Sequence, residues 1–133
     1  MQDSRKVSAY AFAILMVASA TALADGPFAG VNTAANRSQY NGNGCPITIV
    51  FTATINLHPH GPLVFNYRWE RSDGAKGPVQ VMRPGPNQRS MVVRDSWRLG
   101  KRGQTYDASE TIHVNSGNTH EQFNTPTVHV ICR

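Results

Sequence analysis

The chain has 133 residues, the length of one domain and too short for a multidomain enzyme. Apolar residues make up 40% and charged residues only 16%, which excludes a disordered polyelectrolyte, a collagen and a charge-laced coiled coil. Thirteen Lys/Arg against eight Asp/Glu give a net charge of +5, a balance that favours anionic partners.

The first residues have the layout of a leader. Arg5 and Lys6 form a basic start, residues 9–18 are an unbroken apolar run, and Ala22-Leu23-Ala24 is a small-x-small cleavage site. Residues 1–24 therefore predict a secretory signal peptide. The run falls short of the roughly 20 apolar residues that cross a membrane. No later segment is longer, so no transmembrane segment is expected in the mature chain. Cleavage after Ala24 removes Asp3, Arg5 and Lys6, leaving eleven basic and seven acidic groups on residues 25–133. The expected location is secreted or periplasmic.

Residues 25–44 are polar and glycine-rich and read as a flexible N-terminal arm, with one short strand near residues 28–31. The β-domain proper is expected over 45–133. From Cys45 the pattern alternates: Cys45, Ile47, Ile49, Phe51, Ala53, Ile55 and Leu57 share one face, and Thr48, Thr52, Thr54 and Asn56 the other. Period two over a dozen residues marks a strand with one buried face. His58-Pro59-His60-Gly61-Pro62 ends it, because proline cannot donate to a central ladder.

Residues 63–71 predict the next strand, with Phe65, Tyr67 and Trp69 in one phase, and Ser72-Asp73-Gly74 its turn. Trp69 is expected in the core. Residues 78–82 are a short strand, and 83–88 a proline-rich loop. Residues 89–99 alternate again, with Met91, Val93, Trp97 and Leu99 inward and Arg94 and Arg98 outward; Asp95 is a misfit in the apolar phase. After a basic loop at 100–105, strands follow at 109–114 and 126–132, with 115–122 as a loop between them. Glu110 also falls in an apolar phase, where the simplest reading is a strand end open to water and the alternative a buried carboxyl with a raised pKa.

Two cysteines, Cys45 and Cys132, in an exported chain predict a disulfide, within the chain in the first instance and between chains as the alternative. A loop that long contributes on the order of 4–5 kcal/mol on the chain-entropy model. Six or seven short antiparallel strands, with turn signals between them and one disulfide, predict an all-β, immunoglobulin-like sandwich.

Tyr67-Arg68-Trp69-Glu70-Arg71-Ser72-Asp73-Gly74, followed by Trp97-Arg98-Leu99-Gly100 and the C-terminal Cys132, resembles the pattern of small secreted bacterial immunoglobulin-like proteins. Where such proteins often carry an aromatic at the start of the penultimate strand, this chain has Ser109-Glu110. The resemblance spans residues 45–132 and implies a sandwich fold, without implying an activity.

The candidate chemistry is sparse. There is no Gly-x-Ser-x-Gly elbow and no paired catalytic motif, so no catalytic residue, no enzyme activity and no cofactor is expected. His58 and His60 share a loop and are the one pair near enough in sequence to hold a divalent metal weakly; His113 and His129 fall in outward strand phases and His120 in a loop. Without a third converging ligand, no metal site is expected. Arg83, Arg89, Arg94, Arg98, Lys101 and Arg102 lie within twenty residues, opposed only by Asp95. Arg94, Arg98, Lys101 and Arg102 are the candidate anion-binding surface. Its partner would be a cell-envelope or extracellular protein or an anionic polymer. Nucleic acid is not expected, because no aromatic interleaves with the arginines except Trp97, which belongs to the core. The expected function is a non-enzymatic binding or structural domain; a small periplasmic inhibitor or metal-handling protein is the alternative, and an unfamiliar hydrolase the remoter one.

Overall fold

The computed structural model describes residues 19–22, 28–59 and 64–133. Among them the chain forms strands and no helix: β1 (Ser19–Ala22), β2 (Phe28–Ala35), β3 (Gln39–Gly42), β4 (Ile47–Leu57), β5 (Phe65–Arg71), β6 (Gln80–Met82), β7 (Ser90–Leu99), β8 (Thr105–Ala108), β9 (Glu110–Ser116), β10 (Thr119–Asn124) and β11 (Val128–Cys132). They make three sheets, in the orders β1-β2-β4-β7, β10-β9-β5-β6 and β3-β11-β8. No helix among the described residues is long and apolar enough to cross a membrane. The expected leader lies mostly outside the described residues, but β1 falls within it and pairs with β2.

The core follows from the strand periods. In β4, Ile49, Phe51, Ala53, Ile55 and Leu57 are buried while the residues between them are half-buried or exposed. Val93, Trp97 and Leu99 of β7 continue that face through antiparallel pairing with β4. Phe65, Trp69, Ile112, Val114, Phe123, Val128 and Val130 come from the other two sheets and join the same apolar cluster. Phe28 of β2 meets Phe65 of β5 edge to face, with ring centroids 5.3 Å apart, so the aromatic contact bridges two sheets. Trp69 and Trp97 both lie in this core, as their phases require.

The expectation of six or seven strands undercounts, for a local reason. Ser109 alone separates β8 from β9, and residues 125–127 separate β10 from β11. Ala108 pairs with Val128 and Thr111 with Asn124, so residues 109 and 110 oppose 125, 126 and 127. Pro126, which has no N–H to give a ladder, sits in this mismatch. Beyond it β11 takes β3 as a parallel partner on its second edge.

Residues 28–42 do not form the flexible arm expected of them. β2 pairs along β4, with Phe28 and Val31 buried, and β3 pairs with β11. An irregularity between Phe28 and Gly30 explains why the pattern hid. It shifts the phase, so that Phe28 points inward from an even position and Val31, Thr33 and Ala35 from odd ones. The expected loop at 115–122 is corrected too. β9 runs to Ser116 and β10 starts at Thr119, leaving a two-residue turn in which Gly117 adopts φ +58°, as primed hairpin turns require.

The disulfide forms within the chain, between Cys45 and Cys132, with Cα atoms 5.8 Å apart. Gly100, at φ +121°, packs directly on it: a Cβ there would lie 2.7 Å from Cys132 Sγ and 3.0 Å from Cys45 Sγ. Gly103, at φ +84° in the same loop, has open space around it. Gly103→Ala is therefore expected to cost only the backbone strain of about 1–2 kcal/mol. Gly100→Ala adds a clash with a covalent bridge and is expected to cost about 2 kcal/mol more. Urea denaturation of the two variants checks this; equal costs would mean that the bridge moves freely aside.

Candidate functional site

Three polar groups stand out against this frame. The first is the basic face. The outward positions of β7 are exposed, and they include Arg94 and Arg98. Through the β4–β7 register Arg94 stands beside Thr52 and Arg98 beside Thr48. Lys101 and Arg102 occupy the exposed turn that follows β7. The structure thus places Arg94 and Arg98 on one sheet face, as their shared phase requires, with Lys101 and Arg102 at its end. Arg83 and Arg89 are also exposed, in the segment between β6 and β7.

The second group is interior. Glu110 opens β9 with 1% exposure, so the reading of a strand end open to water is wrong. Its backbone explains the position. The Glu110 N–H donates to Thr125 Oγ1 at 2.9 Å, and the Thr125 N–H donates to the Glu110 carbonyl at 2.8 Å. The chain irregularity at residues 125–127 is thereby clamped to Glu110, whose side chain keeps the inward phase of Ile112 and Val114. Asp95 from β7 and Arg71 from β5 reach the same place. Arg71 lies 3.6 Å from the Asp95 carboxylate and 4.0 Å from that of Glu110. Its guanidinium also donates to the Ser96 carbonyl at 3.0 Å and sits 5.3 Å from the centre of the Trp97 ring. The Asp95 misfit is resolved: it is half-buried at an inward position because an arginine from the facing sheet meets it there.

Burial first, then the neighbouring Asp95 carboxyl, push the Glu110 carboxyl up to about 9, against the opposing pull of Arg71. At neutral pH Glu110 is therefore an acid that keeps its proton. Neither Glu110 oxygen has a hydrogen-bond partner within ordinary reach. Burial, and then the Asp95 carboxylate, also raise the Tyr67 phenol. A cleft of about 180 Å³ between Trp69, Arg71, Lys76, Pro78 and Asp95 opens this cluster to solvent on the Asp95 side.

The third group lies on the outer face of β5, β9 and β10. His113, expected to be a surface histidine, is 7% exposed, and His120, expected in a loop, stands on β10. Their rings approach with centroids 5.2 Å apart, and Glu70 lies 2.9 Å from His113. The contact of His113 with Glu70 has no signal in the sequence, because β5 lies 43 residues away along the chain; its contact with His120 follows from the β9–β10 hairpin. His129 is exposed and meets Asp107 at 2.6 Å. His58 is exposed just beyond β4, and His60 lies outside the described residues. No group of three or more His, Cys, Asp or Glu ligands converges among the described residues.

The chain matches no protein-family model, and comparison with curated proteins and with solved structures finds no significant match.

The Glu110 proton has a consequence for stability. The folded carboxyl titrates near 9 and the unfolded one near 4.5. The folded state thus holds a proton that the unfolded state has released, and stability present below about pH 4.5 is lost as pH rises toward 9. At pH 7 retaining the proton costs on the order of 3 kcal/mol. Glu110→Gln, which is neutral at every pH, is expected to be more stable than the parent at pH 8 and no more stable at pH 4. Chemical denaturation across that range checks the sign; a parent that gains on the variant as pH rises would contradict it.

Proposed function

We propose that the chain is a secreted or periplasmic, non-enzymatic immunoglobulin-like domain that binds an anionic envelope polymer through the outer face of β7. The sandwich reading is supported by treating β8 with β9, and β10 with β11, as single strands broken once, at residues 109 and 125–127. β2 and β3 are then one strand that changes partner, from β4 to β11. On this reading β1-β2-β4-β7 and β10-β9-β5-β6 are the two layers around one core, and β3-β11-β8 is linked to both through the continued strands. The resemblance of Tyr67–Gly74 and Trp97–Gly100 to small secreted bacterial proteins of this fold points the same way. Export is supported by the basic-apolar-small layout of residues 1–24 and by a disulfide, which persists in oxidising compartments.

The observation that carries the binding reading is the exposure of Arg94 and Arg98 on one strand face, with Lys101 and Arg102 beyond them. On a strand, positions four apart stand about 13 Å from one another on the same side. Two guanidiniums so spaced on a threonine-rich sheet face suit a repeating anion better than a single small one. Arginine also recognises carboxylate and phosphate oxygens in pairs. The threonines beside them offer hydroxyls to a sugar backbone. A binding surface of this kind requires no cofactor.

The experiment is a binding titration of the purified protein against dextran sulfate, with neutral dextran as the control. Binding to the charged polymer alone is expected, weakening by about tenfold or more as ionic strength rises from about 0.05 to 0.5 M. Arg94→Glu with Arg98→Glu should weaken low-salt binding at least as much. Affinity that ignores both salt and the two charge reversals would remove this reading.

A further inference from the structure

The polar chain on the outer face of β5, β9 and β10 is used neither by the arginine face nor by the interior carboxyls. Glu70 Oε1 lies 2.9 Å from His113 Nε2. His113 Nδ1 lies 3.3 Å from His120 Nε2. His120 Nδ1 lies 2.5 Å from Asn115 Oδ1, and the Asn115 amide nitrogen donates to Asn66 Oδ1 at 3.0 Å.

The two ends of this chain set the tautomers. At 2.9 Å the Glu70 carboxylate oxygen accepts, so His113 carries its proton on Nε2 and donates it there. The Asn115 amide nitrogen is already directed at Asn66, so its oxygen faces His120. His120 then carries its proton on Nδ1. The nitrogens left over, His113 Nδ1 and His120 Nε2, both present lone pairs, and they face each other at 3.3 Å. Two lone pairs at that distance repel, and the arrangement calls for a positive charge between them.

We propose that His113 and His120 are two ligands of a divalent metal site that takes zinc, with its remaining positions filled by water or by donors from another molecule. Zinc–nitrogen bonds of about 2.0–2.1 Å set ligands about 3.3–3.4 Å apart in a tetrahedron. The observed gap matches that edge; ligands at right angles would stand only about 2.9 Å apart. Each ring also has its far nitrogen held by an acceptor, Glu70 for His113 and Asn115 for His120, as metal-bound histidines do. His113 is buried and fixed, whereas His120 is exposed, so an ion can reach the pair from solvent.

The charges around the pair are balanced rather than hostile. Arg68 on β5 stands opposite His113 in the strand register, and Glu70 lies 3.9 Å from that guanidinium. Gln122 faces His113 from β10 and carries no charge. With two protein ligands the site is open, and it exchanges its metal instead of burying it. Acid opposes binding, because both nitrogens must be free of protons.

The test is a zinc chloride titration of the purified protein with ¹⁵N-labelled histidines, followed by NMR. One equivalent is expected to move His113 Nδ1 and His120 Nε2 and to leave the His129 ring where it was. His120→Asn, at an exposed position, should weaken binding at least about tenfold without unfolding the chain, and Glu70→Gln by about 10–100-fold. His129→Ala should have no effect. If zinc to millimolar concentration leaves both rings unmoved, the gap is filled by a shared proton and the proposal fails. It fails equally if zinc shifts other histidines and binding survives His120→Asn.

Discussion

The Cys45–Cys132 bridge is the constraint on which the rest of the fold depends. It joins the residue before Pro46 and β4 to the last residue of β11, 87 positions later, and so closes nearly the whole domain into one loop. The entropy removed from the unfolded chain is large because the loop is long. The bridge also gathers strands. Gly100, at the end of β7, packs on its sulfurs. The Cys132 backbone exchanges hydrogen bonds with Gly103 and Gln104 ahead of β8, and the Arg133 N–H donates to the Gly42 carbonyl at the end of β3. Three segments far apart in sequence, residues 42–45, 100–104 and 132–133, thus meet at one corner, and the second carries both the glycine and the basic residues that continue the arginine face.

Away from that corner, the molecule places charge where an all-β core would ordinarily place apolar side chains. Glu110, Asp95 and Arg71 occupy inward phases of three strands from two sheets. Such a cluster is an uncertain gain in stability, because desolvation of the carboxyls offsets what Arg71 returns. Its effect is on specificity. An arginine that meets two carboxyls, a backbone carbonyl and the Trp97 ring fixes how β5 sits against β7 more narrowly than hydrophobic contact would. The histidine chain on the outer face is a different case, since His120 is open to solvent and its geometry is of no evident use to the core. The two clusters therefore divide between frame and chemistry.

Much of the frame was legible in the sequence. The dozen-residue alternation from Cys45 to Leu57 gave the central strand, and the phases of Trp69, Trp97, Ile112, Val128 and Val130 gave the core. Arg94 and Arg98 were readable as outward because their strand keeps a strict period. What failed did so where the period breaks. The phase change between Phe28 and Gly30 made β2 look like a loose arm, and polar Gln39–Gly42 gave no sign of β3, which exists because β11 has a free edge for it. Gly117-Asn118 was a hairpin signal inside a stretch read as loop, and reading it would have placed His120 on β10. The pairing of His113 with Glu70, and of Glu110 with Asp95 and Arg71, was not legible at all, since it is set by sheet order and not by spacing. The odd phases of Asp95 and Glu110 were visible as misfits; only the third dimension showed that they belong to one cluster.

Intact-mass spectrometry of the protein recovered from its native cell tests most directly the proposal that this domain, closed by its own disulfide, is exported. The expected species begins at Asp25, is lighter than the reduced form by the two thiol hydrogens, and lies in the envelope or external fraction. A full-length chain retained in the cytosol with both thiols free would contradict it.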